Sequence, residues 1–396
     1  MKILFVFLSL PHLKESSMYS DLINEFNDNG HEVFPMAPCN LNRSVLVKEN
    51  NIDVIRVSTW DLFSKNLIFK GLANLLLPYQ YRLAFEKHLS TSIDLVIVAT
   101  PSVMFADFIL FVKKKYDCRV FLLLKDIFPQ NAVDLGFLKK NSITYKYFKS
   151  KELKLLSNVD FIGCTSPGNV RYVKNNYNFL RDEVVKLLYN SSKLFEIGDF
   201  EHHKNFLEQE YGKKYFVAFG GNLGKPQQLE NILLLAKRVS HLSDVLFVFI
   251  GAGTEGDSLL KLAGEWELSN IKFIPKLSRE RYFRVLISCD LALISLHKDF
   301  TVPNTPLKLN DYLNAQLPIL ASIDRHNDLG SIIVNNGMGR FAYADSPEDL
   351  FKEFLSLYKD KTESKRMGMN GYLFCLKNLS IKNTYKEILL HLNSAN

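Results

Sequence analysis

Short continuous apolar runs recur along this 396-residue chain, with helix-like segments between them, and that alternation leaves little choice but parallel sheets wrapped by helices. KILFVFLSL near the amino terminus, HEVFPMAP, 93-IDLVIVAT-100, 119-RVFLLLKD-126 and 159-VDFIGCTS-166 each read as a strand covered on both faces. A helix-like stretch over 17–28 closes at Asn29 and Gly30, a common glycine stop. The alternation then restarts with YFVAFGG, 244-DVLFVFIGAG-253, 271-IKFIP-275, 290-DLALISL-296 and 318-PILAS-322. Residues from about 193 to 213 are polar and carry no strand pattern, so a boundary belongs there. The expected architecture is α/β, with two Rossmann-like doubly wound domains facing a central cleft. They occupy 1–200 and 201–375, and a last helix over 376–396 packs back on the first domain. Ligands of such sheets bind beyond the carboxyl ends of the strands.

Composition narrows the class. The five cysteines, Cys39, Cys118, Cys164, Cys289 and Cys375, are scattered with no C-x-x-C, which points to reduced thiols in a cytosol. No H-x-x-x-H or H-E-x-x-H occurs, and the adjacent His202 and His203 lie in a polar stretch, so no metal site is expected. MKILFVFLSLPHL has a short apolar run, one basic residue and no small-x-small cleavage site; it reads as a first buried strand rather than a signal peptide. No run approaches the roughly 20 apolar residues of a membrane span. The net charge is +7. Between Lys113 and Lys154, eleven Lys and Arg stand against four Asp and Glu, so this stretch alone supplies 11 − 4 = +7. Such a face attracts nucleic acid, anionic lipid or phosphorylated substrate, and a solvated helix face is the equal alternative.

Three turns in the second half carry candidate chemistry. In 215-YFVAFGGNLGKPQQLENILLLAKR-238, Gly220, Gly221 and Gly224 permit close backbone approach, and a helix expected from Gln227 would aim its N–H groups at the turn, with Lys225 adding a charge. A phosphate cradle is the preferred reading over a plain connection. The turn 251-GAGTEG-256 matches G-x-G-x-x-G but follows the second strand of its set, so it reads as a turn exposing backbone donors rather than a dinucleotide-redox site. In 303-PNTPLKLNDYLNAQLPILAS-322, Thr305 is the expected N-cap and Pro306 the first helical residue, with Leu309, Tyr312 and Leu313 on the buried face. Lys308 and Asp311, three apart, suit a phosphate and a ribose; on spacing alone an intrahelical ion pair is slightly favoured. In the first half, Asp126 of 124-LKDIFPQNAVDLGFL-138 ends a strand and either faces the cleft or caps the next helix.

As an ordered set these pieces resemble family 4 glycosyltransferases of the GT-B fold, above all the bacterial transferases of capsule, O-antigen and exopolysaccharide assembly. GGNLGKPQ is similar to the family's GGNLG-x-AQ turn, Gly251 and Gly253 to its G-x-G, and PLKLNDYLNAQLP to its P-S-K-L-x-E-Y-L-A-x-G-x-P helix; 126-DIFP-129 is similar to D-x-W-P, and Gly30 to Val33 to its GHEV. The resemblance implies retaining, metal-independent transfer of a hexose-type sugar from a nucleotide-diphosphate sugar, with no cofactor. It places donor binding at Gly221, Asn222, Leu223, Gly224, Lys225, Gln227, Gly251, Gly253, Pro275, Lys276 and Thr305, catalysis at Lys308, Asp311 and Asp126, and the acceptor side at Ser16 and Ser17. It further implies a lipid-linked or oligosaccharide acceptor, no nucleic acid, and a cytoplasmic protein at the inner face of the cell membrane. The basic stretch Lys113–Lys154 fits that surface, as does 62–89, where apolar residues mix with Lys65, Lys70, Arg82 and Lys87. Departures are specific. Asn222 and Gln227 stand where relatives carry Arg and Lys; Pro303 stands where the first of two glutamates is expected, and Asp311 where the second is. Leu307 and Gln316 replace a serine and a glycine, and Ser16 and Ser17 occupy the region of an absent Gly-Gly loop. Two other classes stay open, a sugar-nucleotide 2-epimerase and a non-catalytic partner subunit of a transferase.

Overall fold

The apolar runs form strands of two mainly parallel sheets, seen in a computed structural model that describes residues 1–62, 64 and 66–393, with backbone only at 67 and 68. In the first sheet the strands are β1 (Lys2–Val6), β2 (Glu32–Cys39), β3 (Val45–Glu49), β4 (Ile52–Ser58), β5 (Leu95–Ala99), β6 (Arg119–Leu124), β7 (Phe161–Cys164) and β8 (Val185–Leu187), ordered β3-β4-β2-β1-β5-β6-β7-β8. β3 alone is antiparallel, pairing with β4 through a two-residue turn at Asn50 and Asn51, both at positive φ (49° and 65°). That is the conformation a tight hairpin needs, and asparagine tolerates it. The loop after β1 is fastened by a buried pair on this hairpin. Arg56 donates to Glu49 from Nε and from the guanidinium terminus at 2.8 Å each and also holds the Leu10 and Pro11 carbonyls, while Leu13 N–H donates to Glu49 Oε2 at 2.9 Å.

The helix Met18–Asp28 buries Leu22, Ile23 and Phe26 against β1 and β2. The carboxy-terminal helix Ile381–Asn393 shares that core through Ile381, Ile388 and Leu392. Tyr385 packs edge-on against Phe26 at 4.8 Å, its hydroxyl meets His31 Nε2 at 3.0 Å, and Thr384 Oγ1 meets Ser191 Oγ at 2.6 Å. The first unit is therefore Met1–Lys193 plus the segment from Ile381 onward, and the second is Leu194–Ser380. Phe195 belongs to the second because its ring packs on Phe200 and Phe283 and its N–H donates to Asn314 Oδ1 at 2.8 Å.

The second sheet is wholly parallel. Its strands are β9 (Tyr215–Asn222), β10 (Val245–Ala252), β11 (Ile271–Ile274), β12 (Leu291–Ser295), β13 (Ile319–Ile323) and β14 (Gly339–Tyr343), ordered β11-β10-β9-β12-β13-β14. The order reverses at β9, so the crevice for a ligand opens where the carboxyl ends of β9 and β12 diverge.

The basic stretch is partly neutralised within the protein, while Lys114, Lys115, Lys139, Lys140 and Lys146 remain exposed. Lys113 pairs with Asp160 at 2.8 Å, Lys149 with Glu152 at 2.6 Å, and both Lys151 and Lys154 with Asp107. Lys65 lies outside the described residues. All five cysteines are free, and among the described residues no group of three His, Cys, Asp or Glu side chains is placed to hold a metal.

The returning helix is expected to stabilise the first unit. Ile388→Ala, at a fully buried position, should lower the unfolding free energy by about 2–5 kcal/mol. Urea denaturation checks this, and a loss near zero would show that the helix is dispensable to that core.

Candidate functional site

The glycine turn after β9 is built by backbone packing. β9 and β10 run in register to their ends, with Gly221 beside Gly251 and Asn222 beside Ala252. A Cβ on Gly251 would lie 1.9 Å from the Gly221 carbonyl oxygen, and one on Gly253 2.2 Å from that of Leu223. Leu223 N–H donates to Ala252 O at 3.0 Å, and Glu255 N–H to Leu223 O at 2.9 Å. The G-x-G-x-x-G of β10 thus serves to bring one turn flat against the other. Gly220 leaves room for the Tyr282 hydroxyl, which a Cβ would meet at 2.0 Å, and its N–H donates to Tyr312 Oη at 2.7 Å.

Beyond Gly224 the expected helix from Gln227 does not form. Lys225–Gln227 make one 3-10 turn, Gln228 is left-handed (φ 43°), and the helix runs Glu230–Arg238. Gln227 is used inside the turn. With its amide nitrogen turned inward it donates to the Asn222 and Gly224 carbonyls at 3.0 Å each. This uncharged residue therefore shapes the loop.

The segment after β12 closes the other side of the crevice. His297 N–H donates to Pro226 O at 2.9 Å, and Lys298 N–H to Gln228 Oε1 at 2.8 Å, which ties the two turns together at the reversal of strand order. Thr305 is buried and is not the N-cap. Helix Lys308–Asn314 is preceded by Leu307, and the first turn closes by Leu309 N–H to Pro306 O at 3.1 Å. The backbone at Asn304 is held by Asn327 Nδ2 at 2.9 Å, and Asn327 also reaches the buried Asp324, whose carboxyl burial pushes up to about 6.

Lys308 departs from the spacing expectation in its partner: Asp311 does not pair with it. Lys308 Nζ sits 3.7 Å above the centre of the Phe219 ring and 3.5 Å from the point where a Cβ on Gly221 would be. The nitrogen is buried and, among the described residues, has no hydrogen-bond partner, and burial lowers the ammonium to about 7. Asp311 Oδ1 instead accepts from Arg279 at 2.9 and 3.3 Å, from the helix Arg279–Leu286. The intrahelical ion pair expected from spacing is thus replaced by a tertiary one. Arg279, Gln228 and His297 were not legible as site residues; each arrives through a contact between segments far apart in sequence.

The remaining residues fall elsewhere. Pro275 and Lys276 are exposed just beyond β11, two strands from the β9 end. Asp126, Ser16 and Ser17 belong to the first unit. Asp126 and Lys125 donate their N–H groups to Thr100 Oγ1 at 2.9 Å each; burial pushes the Asp126 carboxyl up and the Lys125 ammonium down to about 7, each charge opposing the other's shift. Ser17 caps helix Met18–Asp28 in a reciprocal arrangement with Ser20, and Ser16 Oγ donates to Asp21 Oδ1 at 2.9 Å.

An ammonium without a counter-charge costs free energy in the empty protein. Lys308→Met keeps the ring contact and removes the charge. We expect it to raise stability at pH 7 by about 1 kcal/mol, or roughly 2–4 °C in Tm. The sign follows from linkage: a lysine lowered to about 7 binds fewer protons folded than unfolded between pH 7 and its ordinary value, so wild-type stability rises with pH across that window. The variant should lose that rise. An equal rise in both proteins, followed by differential scanning calorimetry, would remove Lys308 as its source.

Comparison with known proteins agrees with this geometry. Residues 201–374 match the family described as glycosyl transferases group 1. A probable glycosyltransferase of Pseudomonas aeruginosa, WbjE, is 29% identical over 219 residues, which cover 55% of this chain and 54% of WbjE; the chain thus spans about half the length of that relative. Among solved structures, the sucrose-phosphate synthase of Thermosynechococcus elongatus aligns with a TM-score of 0.78 at 12% identity over the full length of both chains. HepE of Anabaena in complex with UDP-glucose aligns at 0.71 and 13% identity, again over both full lengths. Residues 201–374 of the second unit are thus similar to glycosyl transferases group 1, and the chain as a whole has the GT-B fold.

Proposed function

We propose that this chain transfers a sugar from a nucleotide-diphosphate sugar to a lipid-linked or oligosaccharide acceptor, with retained anomeric configuration, without a metal, in surface polysaccharide assembly at the inner face of the cell membrane. The observation that carries this reading is the buried, unpartnered Lys308 ammonium beside Gly221 at the carboxyl end of β9. A site that holds a positive charge with no protein anion is complementary to one brought by a ligand. HepE, with the same fold, binds UDP-glucose, which supports this class of donor and supplies a first probe.

In this reading the diphosphate lies against the Gly221–Lys225 turn, its oxygens meeting backbone N–H groups and the Lys308 and Lys225 ammonium groups. As the bond from the anomeric carbon to the diphosphate oxygen breaks, negative charge grows on the leaving group. Lys308 is already in position to neutralise it. Asp311, anchored through one oxygen by Arg279, offers the other to the ribose hydroxyls. Asp126 is the first unit's candidate for the acceptor side, and the backbone around Thr301–Thr305 is the candidate to meet the donor sugar in place of the glutamate for which Pro303 stands.

Protonation has a definite sign here. Lys308 is lowered to about 7 by burial, and an arriving diphosphate favours its charged form, so binding above neutral pH takes up a proton. Affinity for a nucleoside diphosphate should fall as pH rises above 7, approaching tenfold per unit, and this slope should vanish in Lys308→Met. Isothermal titration calorimetry in buffers of different ionisation enthalpy reads the proton directly.

Nucleoside diphosphates and their sugars should raise Tm. Lys308→Ala should retain the fold and lose at least about 100-fold in transfer rate, and transfer should persist in excess EDTA. Near-normal turnover by Lys308→Ala would contradict the assignment. Donor binding with no transfer to any acceptor would favour the non-catalytic partner, and conversion of donor alone to an epimer would favour the epimerase.

A further inference from the structure

Helix Leu67–His88 is apolar on two opposite sides. At about 100° per residue, Ala73, Leu77, Tyr81, Ala84 and Phe85 fall on one side and are buried in the first unit. Phe69, Leu72, Leu75, Tyr79 and Leu83 fall on the other and are 44 to 60% exposed. A helix apolar all round is ordinarily buried all round, so this outer stripe calls for a cover. The stripe runs about 20 Å along the helix axis. Trp60, 49% exposed, extends it at the helix start, where it and Phe69 line a surface hollow of about 290 Å³.

The charge around the stripe identifies what covers it. Lys70, Lys87, Lys114 and Lys115 are exposed, and among the described residues none has a carboxylate partner. Arg82 stands over the Phe111 ring at 4.2 Å, and Lys115 Nζ lies 5.7 Å from the centre of the Phe85 ring, so this cationic group sits beside the helix's carboxyl half. Glu86 is the one acid of the helix, and Arg82 pairs with it at 3.3 Å. Apolar and aromatic side chains on the outer face with bases at the rim match an anionic lipid surface, where rings settle at headgroup level and ammonium groups meet phosphates. Among the described residues no helix is long and apolar enough to cross a membrane, so the arrangement is one that lies on a bilayer.

We propose that helix Leu67–His88 docks flat on an anionic lipid bilayer, its Phe69–Leu83 stripe in the interface and Lys70, Lys87, Lys114 and Lys115 on the headgroups. Of the two surfaces expected from the sequence, 62–89 supplies the apolar stripe and Lys113–Lys154 supplies Lys114 and Lys115 at its rim, while Lys113, Lys149, Lys151 and Lys154 are paired within the protein. The inference deepens the proposed function, which rests on an acceptor carried by lipid. It is tested without donor or acceptor, so its failure would leave the transfer reaction standing.

The test uses the full chain with vesicles of phosphatidylcholine alone and of phosphatidylcholine mixed with phosphatidylglycerol. Co-sedimentation is expected with the mixed vesicles and at least about tenfold less with the neutral ones. Leu75→Glu combined with Leu83→Glu should reduce partitioning at least about tenfold, with an unchanged circular dichroism spectrum and melting temperature because neither side chain enters the core. Lys114→Gln with Lys115→Gln should weaken binding by a similar factor. Trp60, one of two tryptophans, should shift to shorter emission wavelength on vesicles and be quenched by brominated lipid. Failure to bind anionic vesicles, or binding that the two glutamates leave unchanged, overturns the proposal. So does a concentration-dependent dimer that the glutamates abolish without any vesicle binding, since the stripe would then cover a second copy.

Discussion

Lys308 holds a buried ammonium over the face of Phe219 with no anion supplied by the described residues. Much of the second unit can be understood as the scaffold for that contact. A cation on an aromatic face is worth about 0.5–2 kcal/mol, less than the cost of burying it unpaired, and the deficit appears as an ammonium lowered to about 7. Supplying a carboxylate would remove the deficit, and Asp311 lies one turn away on the same helix. Arg279 takes that carboxylate instead. The site therefore remains short of one negative charge, and in the proposed function a diphosphate supplies it.

The geometry that keeps Lys308 at the crevice begins with close backbone packing at glycines. Gly251 and Gly253 let the turn of β10 pack backbone to backbone beneath the turn of β9. Gly220 admits the Tyr282 ring, and Tyr312 anchors the Gly220 amide. These contacts fix the end of β9 at the point where strand order reverses, and the His297 and Lys298 amides fasten the loop after β12 to the same turn. Substituting Gly251 or Gly253 would displace backbone against backbone, which a flexible side chain cannot relieve.

The sequence was most legible where physics is local. Continuous apolar runs marked the central strands of both sheets because both faces of those strands are covered. β3, β4, β8 and β14 escaped notice: β4 alternates Asp53 and Arg56 with apolar residues, β8 has only three residues, and all four lie at or next to a sheet edge. The hairpin at Asn50 and Asn51 left a weaker mark than Asn-Gly would have. Lys308 was legible from its place after Pro306, but its environment was not. Helical spacing pointed to Asp311, while the partner that Asp311 finds comes from 32 residues earlier. The basic Lys113–Lys154 stretch was legible only in part, since Asp107 and Asp160, which pair with three of its lysines, lie outside it. Thr305 and Gln227 carried the right residue types for a cap and a helix start, yet each helix begins two or three residues onward.

In the proposed function donor binding depends on the charge state of one nitrogen, and nuclear magnetic resonance of lysine side chains labelled at Cε observes it. Lys308, assigned by comparison with Lys308→Met, should titrate near 7 in the free protein and move well above that value when UDP is added. A Lys308 that titrates near the ordinary lysine value of about 10.4 in the free protein, or one that UDP leaves unmoved while binding elsewhere, would contradict its role as the counter-charge of the diphosphate.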